Sequence, residues 1–116
     1  MISVIIPHYN APEHLARVVA AVRAQDVADE VEIIVADDGS DQVPDVPGAT
    51  VVTQEDRGFR AAAARNLGAS HARGEILAFL DGDTVPEPGY LAASTRHIKA
   101  DPRAVCLLYT SDAADE

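Results

Sequence analysis

The chain has 116 residues, 47% of them hydrophobic, with 19 acidic against 9 basic side chains and a net charge of −10. That length suits one domain rather than two, and that apolar content excludes wholesale disorder. The acidic balance argues against a binder of nucleic-acid backbone, which needs a basic patch. The single cysteine, Cys106, excludes an internal disulfide. No apolar run reaches the length of a membrane span, and the N-terminus lacks the regions of a signal peptide. A cytoplasmic location is expected, with membrane association left to segments outside this sequence.

Ile2 to Ile6 reads as a buried strand, ended by Pro7 because proline cannot continue a central ladder. Pro7–His8–Tyr9–Asn10 is the loop that follows. Pro12 and Glu13 open a helix, proline in the first turn and an acid at the positive end of the dipole. Leu15, Val18, Val19 and Val22 recur at helical spacing and carry it to about Gln25. Val31 to Ala36 is a second strand, ending on Asp37–Asp38–Gly39–Ser40. Pro44 and Pro47 speak against a long helix in the segment after it. Ala49 to Thr53 is a short third strand, and Asp56–Arg57–Gly58–Phe59 a turn. Arg60 to Arg73 is alanine-rich and helical by propensity, with Gly74 as its C-cap. Pro88 to about Ala100 is a further helix.

Between those helices lies the stretch Glu75 to Asp83. Ile76 to Leu80 is an unbroken apolar run, as in a strand covered on both faces. It stops on Asp81–Gly82–Asp83. Two carboxylates at spacing two off a strand end suit one hard cation, Mg²⁺ or Mn²⁺, which takes oxygen ligands together with substrate phosphates. Read alone, the same residues also make an ordinary polar turn.

Strands alternating with helices imply parallel βαβ units in an α/β, doubly wound sheet. The ends of the first, second and fourth strands then share one edge, where such sheets bind ligands. Pro7–Asn10, Asp37–Ser40 and Asp81–Asp83 are expected to line one crevice. Arg57, Arg60, Arg65 and Arg73 cluster in the sequence between the two acidic strand ends, where a diphosphate needs cations. His8 and His14 have no partner at metal-ligand spacing, and His71 and His97 read as exposed helix residues.

Four motifs in order, Ser3 to Asn10, Glu32 to Ser40, Ala64 to Gly68 and Gly74 to Asp83, closely resemble family 2 glycosyltransferases over about residues 2 to 100. The resemblance implies a Rossmann-like GT-A fold, mainly parallel sheet flanked by helices and truncated at the C-terminus. It implies a nucleotide-diphosphate-sugar donor, with uridine diphosphate the expected nucleotide, and a divalent metal. Pro7 and Tyr9 would wall the base pocket, and Asp38 would accept a hydrogen bond from the base while Asp37 holds the loop. Arg65 would face the base or diphosphate, its planar fork suited to phosphate, and Asn66 would fix that loop. Asp81 would contact ribose or a metal-bound water, and Asp83 would bind the metal. The acceptor, whether saccharide, lipid or protein, is not specified.

The family's general base is expected downstream of these motifs, so no residue is assigned that role and inactivity is expected of this fragment alone. Residues 1–105 are expected to be the nucleotide-sugar-binding half of the domain. Residues 106–116 resemble the translation of a sequencing-library adapter and are expected to be a non-native tail. Three rival readings stand beside this one. One is a nucleotide- or metal-binding module without catalysis, which is what this fragment would be in isolation. A phosphoacceptor receiver domain needs an aspartate ending the third strand and a later lysine at a strand end. Here the third strand ends Thr53–Gln54, and the only lysine, Lys99, sits in a late helix. A metal-dependent nuclease is opposed by the acidic balance.

Overall fold

Side-chain alternation along three strands decides how the sheet is covered. Ile2, Val4 and Ile6, with Ile33, Val35, Ile76, Ala78 and Leu80, point to one face; Ile5, Ile34 and Ala36 point to the other. Both sets are buried, so the sheet needs helices on both sides. A computed structural model, which describes residues 1–58, 61–80 and 85–100, shows this arrangement. The elements are β1 (Ile2–His8), α1 (Pro12–Arg23), β2 (Val31–Asp37), β3 (Thr50–Thr53), α2 (Ala61–Ser70), β4 (Ile76–Phe79) and α3 (Tyr90–Ala100). The four strands form one sheet in the order β3-β2-β1-β4, with every pairing parallel.

The larger core lies under α1 and α3. Leu15, Val18, Val19 and Val22 of α1 and Leu91 of α3 pack there against the first strand set. At about 25 cal/mol per Å² of buried apolar surface, side chains of this size each contribute roughly 1.5–3 kcal/mol. The opposite face is thinner and takes α2 through Ala64. Gly68 lets that helix approach closely: a Cβ there would sit 2.8 Å from Ile5 Cγ2 and 3.2 Å from Ala36 Cβ. Gln25, just past α1, ties the two helices of the larger core. Its Nε2 donates to Glu87 O at 2.7 Å and its Oε1 accepts from Leu91 N at 3.0 Å, inside the first turn of α3. None of the described helices is long and apolar enough to cross a membrane.

Two boundaries differ from the sequence reading for identifiable reasons. Pro7 does not end β1. It lies inside the strand, paired with Ala36, and His8 follows paired with Asp37. In a parallel ladder alternate residues bond to opposite neighbours. His8 O accepts from Asp38 N on the β2 side, whereas Ile5 O accepts from Leu80 N on the β4 side. Pro7 has the parity of Ile5, so its missing N–H faces the β4 side beyond Ile5–Phe79, the last pair of that ladder. Gly74 does not cap α2, which ends at Ser70. Gly74 is instead pressed onto β1: a Cβ would lie 2.6 Å from Ser3 Oγ and 2.7 Å from Met1 O. Its N–H donates to Ser3 Oγ at 2.8 Å. Ser3 in turn donates to Glu32 Oε1 at 2.5 Å, and Glu32 accepts from Arg73 N at 2.6 Å and Arg73 Nε at 3.1 Å. This pin closes the α2–β4 connection at the N-terminal edge of the sheet.

Candidate functional site

The opposite edge, where parallel strands end and α/β sheets bind ligands, gathers the loops after β1, β2 and β3. Asp37, the last residue of β2, is fully buried. Its Oδ1 accepts from His8 Nδ1 at 2.9 Å and Ser40 Oγ at 2.5 Å; its Oδ2 accepts from Thr53 Oγ1 at 2.8 Å and Ser40 N at 3.0 Å. Burial pushes this carboxyl upward, but the hydrogen bonds from Ser40, His8 and Thr53 outweigh it and hold the group below its ordinary range. Asp37 therefore joins β1, β2, β3 and the loop after β2.

Asp38 follows. It is buried, its N–H donates to His8 O, and its Oδ1 accepts from Gln54 Nε2 at 2.7 Å. Gly39 adopts φ +79°, and a Cβ there would fall 2.3 Å from Asp56 N, so the turn can hold only glycine. That contact lays the segment after β3 across the loop after β2. Asp56 then meets Tyr9: the phenol donates to Asp56 Oδ2 at 2.8 Å, while Asp56 Oδ1 accepts from Gly58 N at 3.2 Å. The hydrogen bond to Asp56 and its negative charge raise the Tyr9 phenol above its usual value.

Tyr9, Asp38, Asp56 and Gly58 line a cleft of about 150 Å³. Whole small-molecule sites run to roughly 300–1,000 Å³, so this one matches a single ring of a larger ligand. Tyr9 is 48% exposed, presenting an aromatic face rather than filling the core. Two carboxylates and a phenol make the lining rich in acceptors, which suits a ring that carries N–H groups.

Of the residues singled out from sequence, Tyr9 and Asp38 come together in this cleft, with Pro7 in the strand beneath them. Arg65 and Asn66 lie on α2, half-buried and exposed respectively, and neither lines the cleft. Asp81 and Asp83 lie outside the described residues, as do Arg60, Cys106 and the segment 106–116. Among the described residues no group of three or more His, Cys, Asp or Glu side chains could hold a metal ion. Among the described residues the arginines do not form one patch. Arg57 pairs with Glu55 on the surface at 2.6 Å, and Arg73 binds Glu32 at the far edge of the sheet. Arg73 is thus removed from the crevice by the early end of α2.

Sequence reading missed Asp56, taken as part of a turn, and Gln54. Nothing local marked either, since both act through the loop crossing at Gly39. It also left His8 without a role. A signal was present there: His8 has the parity of Ile2, Val4 and Ile6, which places it on the buried α1 face beside its register partner Asp37.

Comparison with known proteins settles the family. The family model described as glycosyl transferase family 2 matches residues 3–115. The chain belongs to glycosyl transferase family 2. Validoxylamine A glucosyltransferase of Streptomyces hygroscopicus subsp. jinggangensis is 39% identical over 100 residues, covering 78% of this chain and 24% of that protein. Chondroitin synthase of Escherichia coli is 35% identical over 95 residues, covering 75% of this chain and 14% of that one. This family 2 chain thus spans about a quarter or less of the length of these relatives. Among solved structures, S. aureus TarS 1-349 superposes with a TM-score of 0.71 at 24% identity, over 85% of this chain and 32% of that one. The same protein in complex with UDP gives 0.68 at 23% identity, over 85% and 32%. The parallel sheet with flanking helices is the GT-A-like fold of these neighbours.

Proposed function

We propose that this chain is the donor-binding part of a glycosyltransferase, one that moves a sugar from a nucleoside-diphosphate donor to an acceptor with inversion. The observation that carries the reading is the cleft of Tyr9, Asp38, Asp56 and Gly58 at the ligand-binding edge of a family 2 sheet. The family relatives include a glucosyltransferase, and the TarS neighbour with UDP supports a uridine nucleotide.

In this reading the base enters the cleft. Tyr9 and Pro7 form its wall, and Asp38, held by Gln54, accepts from a ring N–H. Arg65 and Asn66, on the helix that leaves the segment after Gly58, serve the diphosphate side. Asp81 and Asp83 come shortly after β4 in the sequence, and two carboxylates at that spacing are the kind of oxygen donor that Mg²⁺ or Mn²⁺ prefers. When bound, such a cation neutralises charge on a leaving diphosphate. The chain's own contribution is to bind and orient the donor. Activation of the acceptor hydroxyl is assigned to none of these residues, so the fragment alone is expected to bind and not to transfer. The acceptor class stays open between saccharide, lipid and protein.

Thermal unfolding with added UDP and Mn²⁺ tests the reading, because a ligand that binds only the folded chain raises its Tm. A ligand at 100 times its Kd should add about 2.7 kcal/mol. Asp83→Ala should abolish the metal-dependent part of the shift, and Asp38→Ala should weaken UDP binding with or without metal. No shift at saturating UDP and Mn²⁺ overturns the proposal.

A further inference from the structure

His8 is a buried histidine, 6% exposed, that the donor reading does not use. Its ring employs both nitrogens. Nδ1 lies 2.9 Å from Asp37 Oδ1, with Ser40 Oγ at 3.3 Å. Nε2 lies 3.0 Å from Ala11 N. An amide N–H can only donate, so Nε2 accepts and the ring proton sits on Nδ1, where the Asp37 carboxylate receives it.

The three residues between His8 and α1 are Tyr9, Asn10 and Ala11, and each is held. Ala11 occupies the N-cap position of α1 and has no side chain to cap it. Its own N–H finds its acceptor on His8. Asn10 adopts φ 48°, a left-handed conformation; its N–H donates to Ser40 Oγ at 2.8 Å and its Oδ1 accepts from Asp41 N at 2.9 Å. Ser40 is also bonded to Asp37. The imidazole therefore sits at the hub that fixes the Tyr9 loop against the Asp38 loop.

We propose that His8 is a positioning residue for the nucleotide cleft: as its Nδ1–H tautomer it holds Tyr9 against Asp38 and Asp56, and a proton on Nε2 releases that loop. The proposal rests on reading the cleft as the base site. A protonated Nε2 turns the Ala11 contact into donor against donor, and the α1 entry loses its only acceptor from the β1 end among the described residues. The charged group in contact with the ring is Asp37 on β2; Asp41 and Asp45 on the segment after β2, and Arg23 at the far end of α1, line one groove with His8.

Nitrogen-15 spectra of the imidazole and calorimetric titration with UDP-glucose, whose esterified phosphates do not titrate in this range, test it between pH 8 and 5.5. At pH 8 the proton should be on Nδ1. On acidification the amides of Tyr9, Asn10 and Asp38 should shift with the ring's own midpoint, and UDP-glucose affinity should fall roughly tenfold, the worth of a lost buried hydrogen bond. His8→Gln, which offers an acceptor near the Nε2 position and cannot ionise, should bind with no such pH dependence and more tightly at pH 8 than His8→Asn. A proton on Nε2 at pH 8, loop amides that ignore the ring's titration, or an unchanged pH dependence in His8→Gln overturns it. Failure of the wild-type chain to bind UDP-glucose at any pH, with the amides still following the ring, overturns the donor reading and the assigned consequence of positioning, while the His8 hub itself stands.

Discussion

Glu32 makes the energetics of the fold measurable apart from its ligand chemistry. Its side chain is 10% exposed and accepts from Ser3 Oγ, Arg73 N and Arg73 Nε. Burial alone pushes the carboxyl up, but the hydrogen bonds from Ser3 and Arg73 overcome it and lower the group from 4.5 to about 2. That drop corresponds to a ceiling of about 3.4 kcal/mol of pH-dependent stability. The Arg73 side chain is 76% exposed, so solvent screens its share, and a value of about 2 kcal/mol is expected. Because the folded value lies below the unfolded one, the contribution is complete above 4.5, shrinks as pH falls from there, and is gone below about 2. Glu32→Gln should therefore be about 2 kcal/mol less stable at pH 7, roughly 8 °C in Tm for a chain of this size. The two proteins should converge as pH falls from about 4.5 towards 2. Urea unfolding of both across that range reads the difference, and subtraction removes other acids such as Asp37 that titrate in both. A gap that stays constant from pH 7 to 3 would show that Glu32 acts by shape alone and refute the electrostatic account.

Further outcomes follow from the ligand edge. Gly39→Ala meets Asp56 backbone atoms at 2.3 and 2.5 Å in a left-handed conformation, and should cost more than about 2 kcal/mol in urea unfolding. It should also lower UDP affinity, because the segment after β3 can no longer close on the cleft. Asp56→Asn removes the charge that lifts the Tyr9 phenol, so its titration should move down towards the ordinary value of 10.0, read by absorbance at alkaline pH against a Tyr9→Phe control. Gly68→Ala crowds Ile5 and Ala36 and should cost roughly 1–3 kcal/mol without changing UDP affinity.

Much of the fold was legible because its signals are local. The apolar runs of β1, β2 and β4, the helical spacing of Leu15, Val18, Val19 and Val22, and the acids at strand ends each lie within a few residues. Alternation with helices then implied a parallel sheet, which is present, and the loops after β1 and β2 meet at one edge of it as expected, while Asp81 to Asp83 lie outside the described residues. Pro7 misled because a proline's cost depends on which neighbour its missing N–H faces, and that follows from pairing. Gly74 misled because a glycine after a helix has two physical uses, a left-handed cap and a close approach. Only the position of Ser3 distinguishes them.

The sequence alone determined the α/β class, the order of elements, the family resemblance and the pairing of Tyr9 with Asp38 at one edge. Those depend on periodicity and on motifs that carry their own chemistry. Tertiary structure decided what crosses between elements. It set Asp37 as the junction of three strands, His8 as the holder of the Tyr9 loop, Asp56 as the cleft's second carboxylate, and Arg73 as a pin at the far edge. Each of these joins residues 16 to 47 positions apart. Hydrogen bonds of that reach depend on strand register and loop crossing, which no single stretch of sequence contains.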